Sequence, residues 1–129
     1  MKRDMDLVRG LLLKLEARYR GVGVLSFDYD DEELQIGGAE SLAIAYHLGL
    51  LLDAGFVSGE KTGSGQFIME GMTWAGHEFL DSVRNEEIWK RTQEGINFAG
   101  GLTLDLVKGL AKGYAKKKLE TLTGIEVML

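Results

Sequence analysis

Two histidines, His47 and His77, supply all the imidazole groups of the sequence, and imidazole is a common metal ligand and general base in proteins. Each stands among apolar residues at helical spacing, within "AYHLGLL" and "WAGHEFL". In that setting a histidine is more often a hydrogen-bonded structural residue than a ligand. A metal site shared by the two would also need carboxylate partners that the spacing does not supply. The pattern therefore predicts structural histidines and no metal site.

The acidic run "DYDDEE", Asp28 to Glu33, is the densest group of potential oxygen ligands. It starts like a calcium loop, but the sixth position is Glu33 rather than glycine and the twelfth is Ala39 rather than glutamate. The sequence also lacks cysteine, a phosphate loop ending in Lys-Ser/Thr, and a serine in a nucleophile elbow. Carboxylates in an open loop have no dry pocket for acid–base work. We therefore expect no enzymatic activity and no cofactor.

The segment "AYHLGLLLDAGFV", Ala45 to Val57, is typical of the second helix of a helix-turn-helix that continues into a β-hairpin wing. Direct reading of bases needs Arg, Lys, Asn or Gln on the exposed face, but residues 21–60 contain no Lys or Arg and the wing supplies only Lys61. A protein contact, or burial of the leucines in the core, explains this helix better than base recognition. The candidate partner- or DNA-facing residues are Ser41, Ala45, Tyr46, Gly49, Leu50, Leu52 and Asp53.

Basic charge is concentrated at the two ends of the chain. Residues 1–20 have a net charge of +3 and residues 102–129 of +2, whereas residues 21–60 carry −8. Only the ends would attract a phosphate backbone. The C-terminal lysines form a solvated helix face, contact phosphates, or flank a dimer contact in which Gly109 and Gly113 permit close helix approach. These tail residues are Lys108, Lys112, Lys116, Lys117 and Lys118.

Apolar periodicity and turn residues divide the chain into helices, a hairpin and glycine-rich breaks. The predicted elements are a helix over residues 4–19, a short strand over 33–36, a helix from 39–41 to Asp53, a hairpin of Val57–Thr62 and Gln66–Thr73, a helix capped by Thr73 and ending at Val83, a helix starting at Asn85, and a helix over Leu102–Leu122 ending at Gly124.

Further expectations concern single residues. Arg9, Lys14 and Arg18 are predicted on the solvated face of the first helix, and Trp74 and Trp89 as core anchors. The segment "EGINFAGG" is predicted as a hinge and "IEVML" as a short strand. The apolar stripe of the last helix is predicted to comprise Leu102, Leu106, Leu110 and Tyr114.

The order helix, short strand, helix, hairpin, helix predicts an α+β fold that is mainly helical, with a winged helix-turn-helix-like core, a β-hairpin wing and an added C-terminal helix. We expect a winged-helix-like domain over residues 1–95 and a glycine hinge with a helical tail over 96–129.

The absence of cysteine fits a reducing cytoplasm. Asp4 and Asp6 interrupt any signal-peptide core, and the apolar run Leu42–Leu52 is about half a membrane span. A cytoplasmic protein without membrane contact is therefore expected.

Two segments carry a resemblance. "YHLGLLLDAGFV" resembles the recognition-helix-to-wing passage of arsenic-repressor-type winged-helix proteins, and "MTWAGHEFLDSVR" resembles their wing exit and following helix. Nearly the whole chain is similar to an uncharacterised bacterial and prophage family whose members share segments like "MKRDMDLVR", "YHLGLLLDAG" and "LAKGYAKKKL", a "TWAGHEFLD"-like segment and a tryptophan like Trp89, with Met72 here replacing a leucine. The resemblance implies a winged-helix-like fold and no established activity.

The leading hypothesis is a small non-catalytic winged-helix module of bacterial or prophage origin that acts as a protein-interaction or regulatory adaptor. Its partner would be another protein or a second copy, with a homodimer formed through the C-terminal helix. The first alternative is a dimeric DNA-binding transcriptional regulator in which the basic ends grip the backbone and Lys61 enters the minor groove. The second is an acidic DNA-mimic inhibitor that uses Asp28 to Glu33.

Overall fold

The computed structural model describes residues 1–99 and 103–126, and residues 1–80 and 81–129 form two compact units. The architecture is α+β and mainly helical, which confirms the predicted fold class. The elements are α1 (Met5–Arg18), β1 (Leu25–Asp28), a 3-10 turn (Glu32–Leu34), α2 (Ser41–Asp53), β2 (Val57–Lys61), β3 (Gln66–Met72), α3 (Trp74–Val83), α4 (Glu86–Ala99) and α5 (Leu104–Thr123).

Helix α1 begins at a side-chain cap and buries one apolar face. The Asp4 carboxylate accepts hydrogen bonds from the amides of Asp6 and Leu7, at 3.0 and 3.2 Å. Such a cap stabilises a helix by about 1 kcal/mol. Arg9 is only 7% exposed, so its predicted place on the solvated face is wrong, because it follows Met5 by four residues and shares that residue's buried side. The buried apolar residues of α1 are Met5, Leu7, Val8, Leu11, Leu12 and Leu15.

The three strands form one antiparallel sheet in the order β1-β3-β2. The β2–β3 hairpin lies where the sequence predicts it. The predicted strand over residues 33–36 is wrong: part of that segment is the 3-10 turn, and the strand that precedes α2 is β1. Because "LSFD" alternates over only four residues, its signal was too short to find. Phe27 of β1 pairs with Phe67 of β3, and both are buried.

A bulge at Ser58 and Gly59 shifts the register between β2 and β3. Gly59 has a φ of 156°, and a Cβ atom built on it would lie 1.9 Å from the carbonyl oxygen of Ile68. No side chain fits at that distance, so the bulge depends on glycine.

The core of residues 1–80 lies where α1, the inward side of α2, the sheet and the start of α3 meet. Phe56 stacks on Phe79 with ring centroids 5.0 Å apart. Trp74 is 81% exposed, so its predicted role as a core anchor is wrong. It precedes Phe79 by five residues, which turns its side chain about 140° away from the buried stripe of the helix.

Helices α4 and α5 pack as an antiparallel pair. Gly95 lets them approach closely, since a Cβ atom there would lie 3.1 Å from Leu110 Cδ1 and 3.3 Å from the Tyr114 hydroxyl. Trp89 is 3% exposed, as predicted for a core anchor. Among the side chains of this pair that the structure describes, the other buried ones are Thr92, Ile96, Val107 and Ala111.

Three predictions for the C-terminal third differ from the structure. Helix α4 continues to Ala99, so the first six residues of the predicted hinge are helical, and residues 100–102 lie outside the described part. Leu106 is 38% exposed while Val107 and Ala111 are fully buried, so the apolar stripe is displaced by one residue. Residues 125–126 form no strand, and 127–129 are outside the described residues.

Helix α5 ends at Gly124, which adopts a φ of 71°, as its sequence position predicts. Residue 95, where the predicted N-terminal domain ends, lies inside α4. That residues 1–95 and residues 96–129 are separate domains therefore stays a prediction. None of the helices in the described part of the chain combines the length and the hydropathy that a membrane crossing requires.

Candidate functional site

The outward side of α2 carries an exposed stripe without a basic residue. Leu42 is 66% exposed and Tyr46 is 40% exposed, Gly49 is half-buried and Asp53 is exposed. These four residues follow one another at steps of four, three and four, so they share one side of the helix. We call them the α2 stripe. Their exposure leaves the stripe accessible to a partner.

The remaining predicted residues of α2 flank this stripe. Ser41 and Ala45 are half-buried. Leu50 and Leu52 are also half-buried, so they belong neither to the closed core nor to the open surface. The buried side of α2 is formed instead by Ile44, His47, Leu48 and Leu51.

His47 holds the N-terminus of α1 against α2. Its Nε2 accepts a hydrogen bond from the backbone amide of Asp4 at 2.8 Å, and its Nδ1 donates to the carbonyl of Ala43 at 2.7 Å. These bonds fix the neutral tautomer with the proton on Nδ1. His47 is 1% exposed, so it is a structural histidine, as predicted.

His77 is exposed, and its Nδ1 lies 3.8 Å from a carboxylate oxygen of Glu16. Among the described residues no group of three or more His, Cys, Asp and Glu side chains is arranged to hold a metal ion.

Lys61, the predicted wing residue, lies over α2. A Cβ atom built on Gly49 would be 2.6 Å from the Lys61 Nζ and 2.9 Å from its Cε, so the absence of a side chain at Gly49 makes room for the lysine. The minor-groove role proposed for Lys61 would require this side chain to swing away from α2. The structure thus places a cation beside the α2 stripe.

A small groove separates α2 from the hairpin, and we call it the hairpin groove. It encloses about 160 Å³, the volume of one or two amino-acid side chains. Ala45, Leu48 and Phe67 supply its apolar wall. Sequence reasoning missed this groove because it depends on how β1 and the hairpin are folded against α2. The lining residues are Tyr29, Ala45, Leu48, Lys61, Thr62, Gly65, Gln66 and Phe67.

The chemistry of this region suits an uncharged or apolar partner group. On α2 itself the outward polar groups are the Ser41 and Tyr46 hydroxyls and the Asp53 carboxylate. A DNA-reading helix needs bidentate donors and backbone-neutralising cations, and α2 contains no Arg, Lys, Asn or Gln. Exposed Leu and Tyr side chains are the residue types that form the centre of a protein interface.

The basic tail does not form one continuous patch. Lys118 Nζ lies 2.7 Å from Glu87 of α4, and Lys116 Nζ lies 3.8 Å from Glu120 one turn further along α5. Lys112 and Lys117 are exposed and Lys108 is half-buried. Since successive residues are about 100° apart on a helix, Lys116, Lys117 and Lys118 face three different directions.

A second groove, the α4–α5 groove, follows the contact between those helices and encloses about 340 Å³. Arg91, Lys117 and Lys118 place three cations along it, opposed by the Glu87 carboxylate. The hydrogen bond and charge of Lys118, together with the charge of Arg91, lower the pKa of Glu87. No local pattern in the sequence indicates this groove, because only the packing of α4 on α5 brings the residues together. Its lining is Glu87, Ile88, Arg91, Tyr114, Lys117, Lys118, Thr121 and Leu122.

The acidic segment Asp28 to Glu33 begins at the end of β1 and continues into the 3-10 turn. Asp31 caps that turn by accepting a hydrogen bond from the Glu33 amide at 2.9 Å. Glu33 forms an ion pair with Arg18, whose guanidinium lies 5.4 Å from the ring centroid of Phe27. Asp28, Tyr29 and Asp30 are exposed.

The segment "MTWAGHEF" has a structural explanation. The Thr73 hydroxyl donates to the carbonyl of Gly55 and accepts from the Gly76 amide at 3.0 Å, which caps α3 and ties it to the end of α2. A Cβ atom on Gly76 would lie 2.2 Å from the carbonyl oxygen of Phe56. Thr73 and Gly76 therefore set how α3 leaves the hairpin.

Comparison with known proteins places this chain in a family. The hypothetical-protein family DUF2513 matches residues 2–102. An uncharacterised protein of Haemophilus influenzae is 34% identical over 123 residues, which cover 92% of this chain and 99% of the relative. No solved structure matches the chain. By the extent of both matches, the chain belongs to the DUF2513 family of hypothetical proteins.

Proposed function

We propose that this chain is a small, non-catalytic winged-helix module that acts as an adaptor by binding another protein through the α2 stripe. The order α1, β1, α2, hairpin, α3 and the pairing of β1 with β3 support the winged-helix assignment. The observation that carries the binding proposal is the exposure of Leu42 and Tyr46 on a side of α2 to which the helix itself contributes no Lys or Arg.

The hairpin groove supports the same proposal. It opens beside the stripe at Ala45 and is walled by Leu48 and Phe67, so an apolar side chain of the partner would be desolvated there while Leu42 and Tyr46 are covered. Burial of apolar area contributes about 25 cal/mol per Å², and interface affinity is usually concentrated in a few aromatic and aliphatic anchors.

The test compares two matched charge introductions. Leu42→Asp places a carboxylate on the stripe, whereas Val24→Asp does so at a residue of nearly equal exposure, 64% against 66%, outside α2. Tagged wild type and both variants are used to capture proteins from a bacterial lysate, and captured proteins are identified by mass spectrometry. We expect wild type and Val24→Asp to retain one common partner and Leu42→Asp to lose it, with unchanged melting curves.

Equal capture by Leu42→Asp and wild type would refute the proposal. Fluorescence anisotropy with a labelled duplex tests the transcriptional-regulator alternative in parallel. Duplex binding that persists near physiological salt, with log affinity falling linearly against log salt, would replace the adaptor assignment with DNA binding.

A further inference from the structure

The α4–α5 groove combines cations with an apolar floor. Arg91 and Lys117 are exposed along it, and Lys118 is held by Glu87 at 2.7 Å. Ile88 and Leu122 add aliphatic surface, and Leu122 is 73% exposed. A ligand that fits this lining carries carboxylates for the cations and an apolar group for Ile88 and Leu122.

The acidic segment of the chain has that composition. Asp28 and Asp30 are exposed on either side of Tyr29, a residue that is 37% exposed. Residues 21–60 contain eight Asp and Glu and no Lys or Arg. The two compact units also differ in charge. Residues 1–80 have seven Lys and Arg and thirteen Asp and Glu, whereas residues 81–129 have eight Lys and Arg and seven Asp and Glu.

A phosphate backbone fits the groove less well. Glu87 sits in the lining, where the hydrogen bond and charge of Lys118 and the charge of Arg91 lower the pKa of its carboxyl, and this carboxylate repels a polyanion. The net charge of −5 also opposes the approach of nucleic acid. A short acidic segment with one aromatic residue places fewer charges near Glu87 and uses the apolar floor.

We propose that two copies of this chain associate by docking the acidic segment of each copy, Asp28 to Glu33, in the α4–α5 groove of the other. Carboxylates of Asp28 and Asp30 pair with Arg91 and Lys117, and the Tyr29 ring covers Leu122. In such a dimer each copy supplies one segment and one groove, so the two contacts are identical and related by a twofold axis. This contact uses none of the four residues of the α2 stripe, although Tyr29 also lines the hairpin groove beside the stripe.

Sedimentation velocity of the full chain, from micromolar to submillimolar concentration, measures the association. Arg91→Glu/Lys117→Glu reverses the charge of two side chains that line the groove. We expect the dimer dissociation constant to rise at least about tenfold, because like charges then face each other. Lys90→Glu/Lys112→Glu is the matched control, since these exposed residues of α4 and α5 make the same charge change outside the groove lining. The control is expected to dimerise more than the groove variant.

Mixing two charge-reversed variants tests whether the acidic segment of one copy contacts the groove of the other. Asp28→Lys/Asp30→Lys alone is expected to dimerise more weakly than wild type, as is Arg91→Glu/Lys117→Glu. In an equimolar mixture each reversed segment faces a complementary groove, so a heterodimer is expected. Leu42→Asp is expected to leave dimerisation unchanged, which separates this proposal from the one for the α2 stripe.

Three outcomes would overturn the proposal. Wild type that stays monomeric at the highest concentration excludes the dimer. A mixture that stays monomeric shows that the two surfaces do not meet between copies. Loss of duplex binding in Arg91→Glu/Lys117→Glu with an unchanged oligomeric state would assign the groove to phosphate instead. Circular-dichroism melts of every variant show that each is folded.

Discussion

Replacement of the buried His47 by leucine is expected to destabilise the contact between α1 and α2. Leucine has a similar volume but cannot accept from the Asp4 amide, which His47 Nε2 contacts at 2.8 Å, or donate to the Ala43 carbonyl at 2.7 Å. The Ala43 carbonyl can still accept the amide one turn later, as in any α-helix. The Asp4 amide loses its acceptor, so most of the cost arises there.

The size of this effect follows from the two bonds. A lost hydrogen bond costs about 1 kcal/mol and a donor left without an acceptor about 1–3 kcal/mol, about 2–4 kcal/mol together. Because Asp4 is an exposed residue and the bond is only part-buried, we expect the lower part of this range, a loss of about 2–3 kcal/mol. That is a large share of the roughly 5–15 kcal/mol by which a domain is stable. For a chain of this length we expect the melting temperature to fall by roughly 10 °C.

Thermal unfolding followed by circular dichroism measures the shift, and amide hydrogen exchange at Asp4 locates it. His77→Leu is the matched control, because His77 is exposed and its substitution should change stability by less than about 0.5 kcal/mol. Equal melting temperatures for His47→Leu and His77→Leu would refute the assignment of His47 as the residue that joins α1 to α2.

Two further predictions concern backbone approach and one concerns charge. Gly76→Ala is expected to cost about 3 kcal/mol, measured by urea unfolding, since its Cβ would lie 2.2 Å from the Phe56 carbonyl oxygen. Gly59→Ala should likewise broaden the amide resonances of the hairpin or unfold it, because its Cβ would overlap the neighbouring strand; a well-dispersed native spectrum would contradict the bulge geometry. Lys118→Met should raise the pKa of Glu87 in a carboxyl NMR titration, because Lys118 is the main cause of its lowering. Since the folded pKa lies below the usual 4.5, stability from this pair is present above about pH 4.5 and is lost as the pH falls through the lowered value; an unchanged Glu87 titration would show that the pair does not persist in solution.

Much of the fold could be predicted because its signals are local. The spacing of apolar residues located α1 and α2, and the glycines of "TGSGQ" located the hairpin. Strand β1 was missed since its pairing with β3 joins residues about forty positions apart, which no local pattern records. Trp74 and Trp89 are the same residue type with opposite burial, because their angular positions relative to their helices' buried sides differ.

The surfaces were harder to predict than the elements. The α2 stripe follows from helical geometry, so Tyr46, Gly49 and Asp53 could be named in advance, whereas the strong exposure of Leu42 could not. Both grooves arise where side chains from separate elements meet, as Arg91 and Lys117 do across α4 and α5. Their positions depend on tertiary packing, which is why single-sequence patterns found neither.

The contacts of the motif residues show whether these residues serve the fold or a binding function. Asp4 and His47 come from two different segments of the resemblance and bond to each other, and Thr73 bonds to Gly55 and Gly76, so these residues hold the fold together. Leu42 of the α2 stripe and Arg91 of the α4–α5 groove lie outside those segments, whereas the other stripe residues and Lys117 of the groove lie inside them. The motifs therefore combine residues that hold the fold with residues on both proposed binding surfaces, and function has to be argued from those surfaces rather than from the fold. Substitutions at the exposed residues Leu42 and Arg91, rather than at Asp4, His47 or Thr73, are accordingly the ones that separate function from stability.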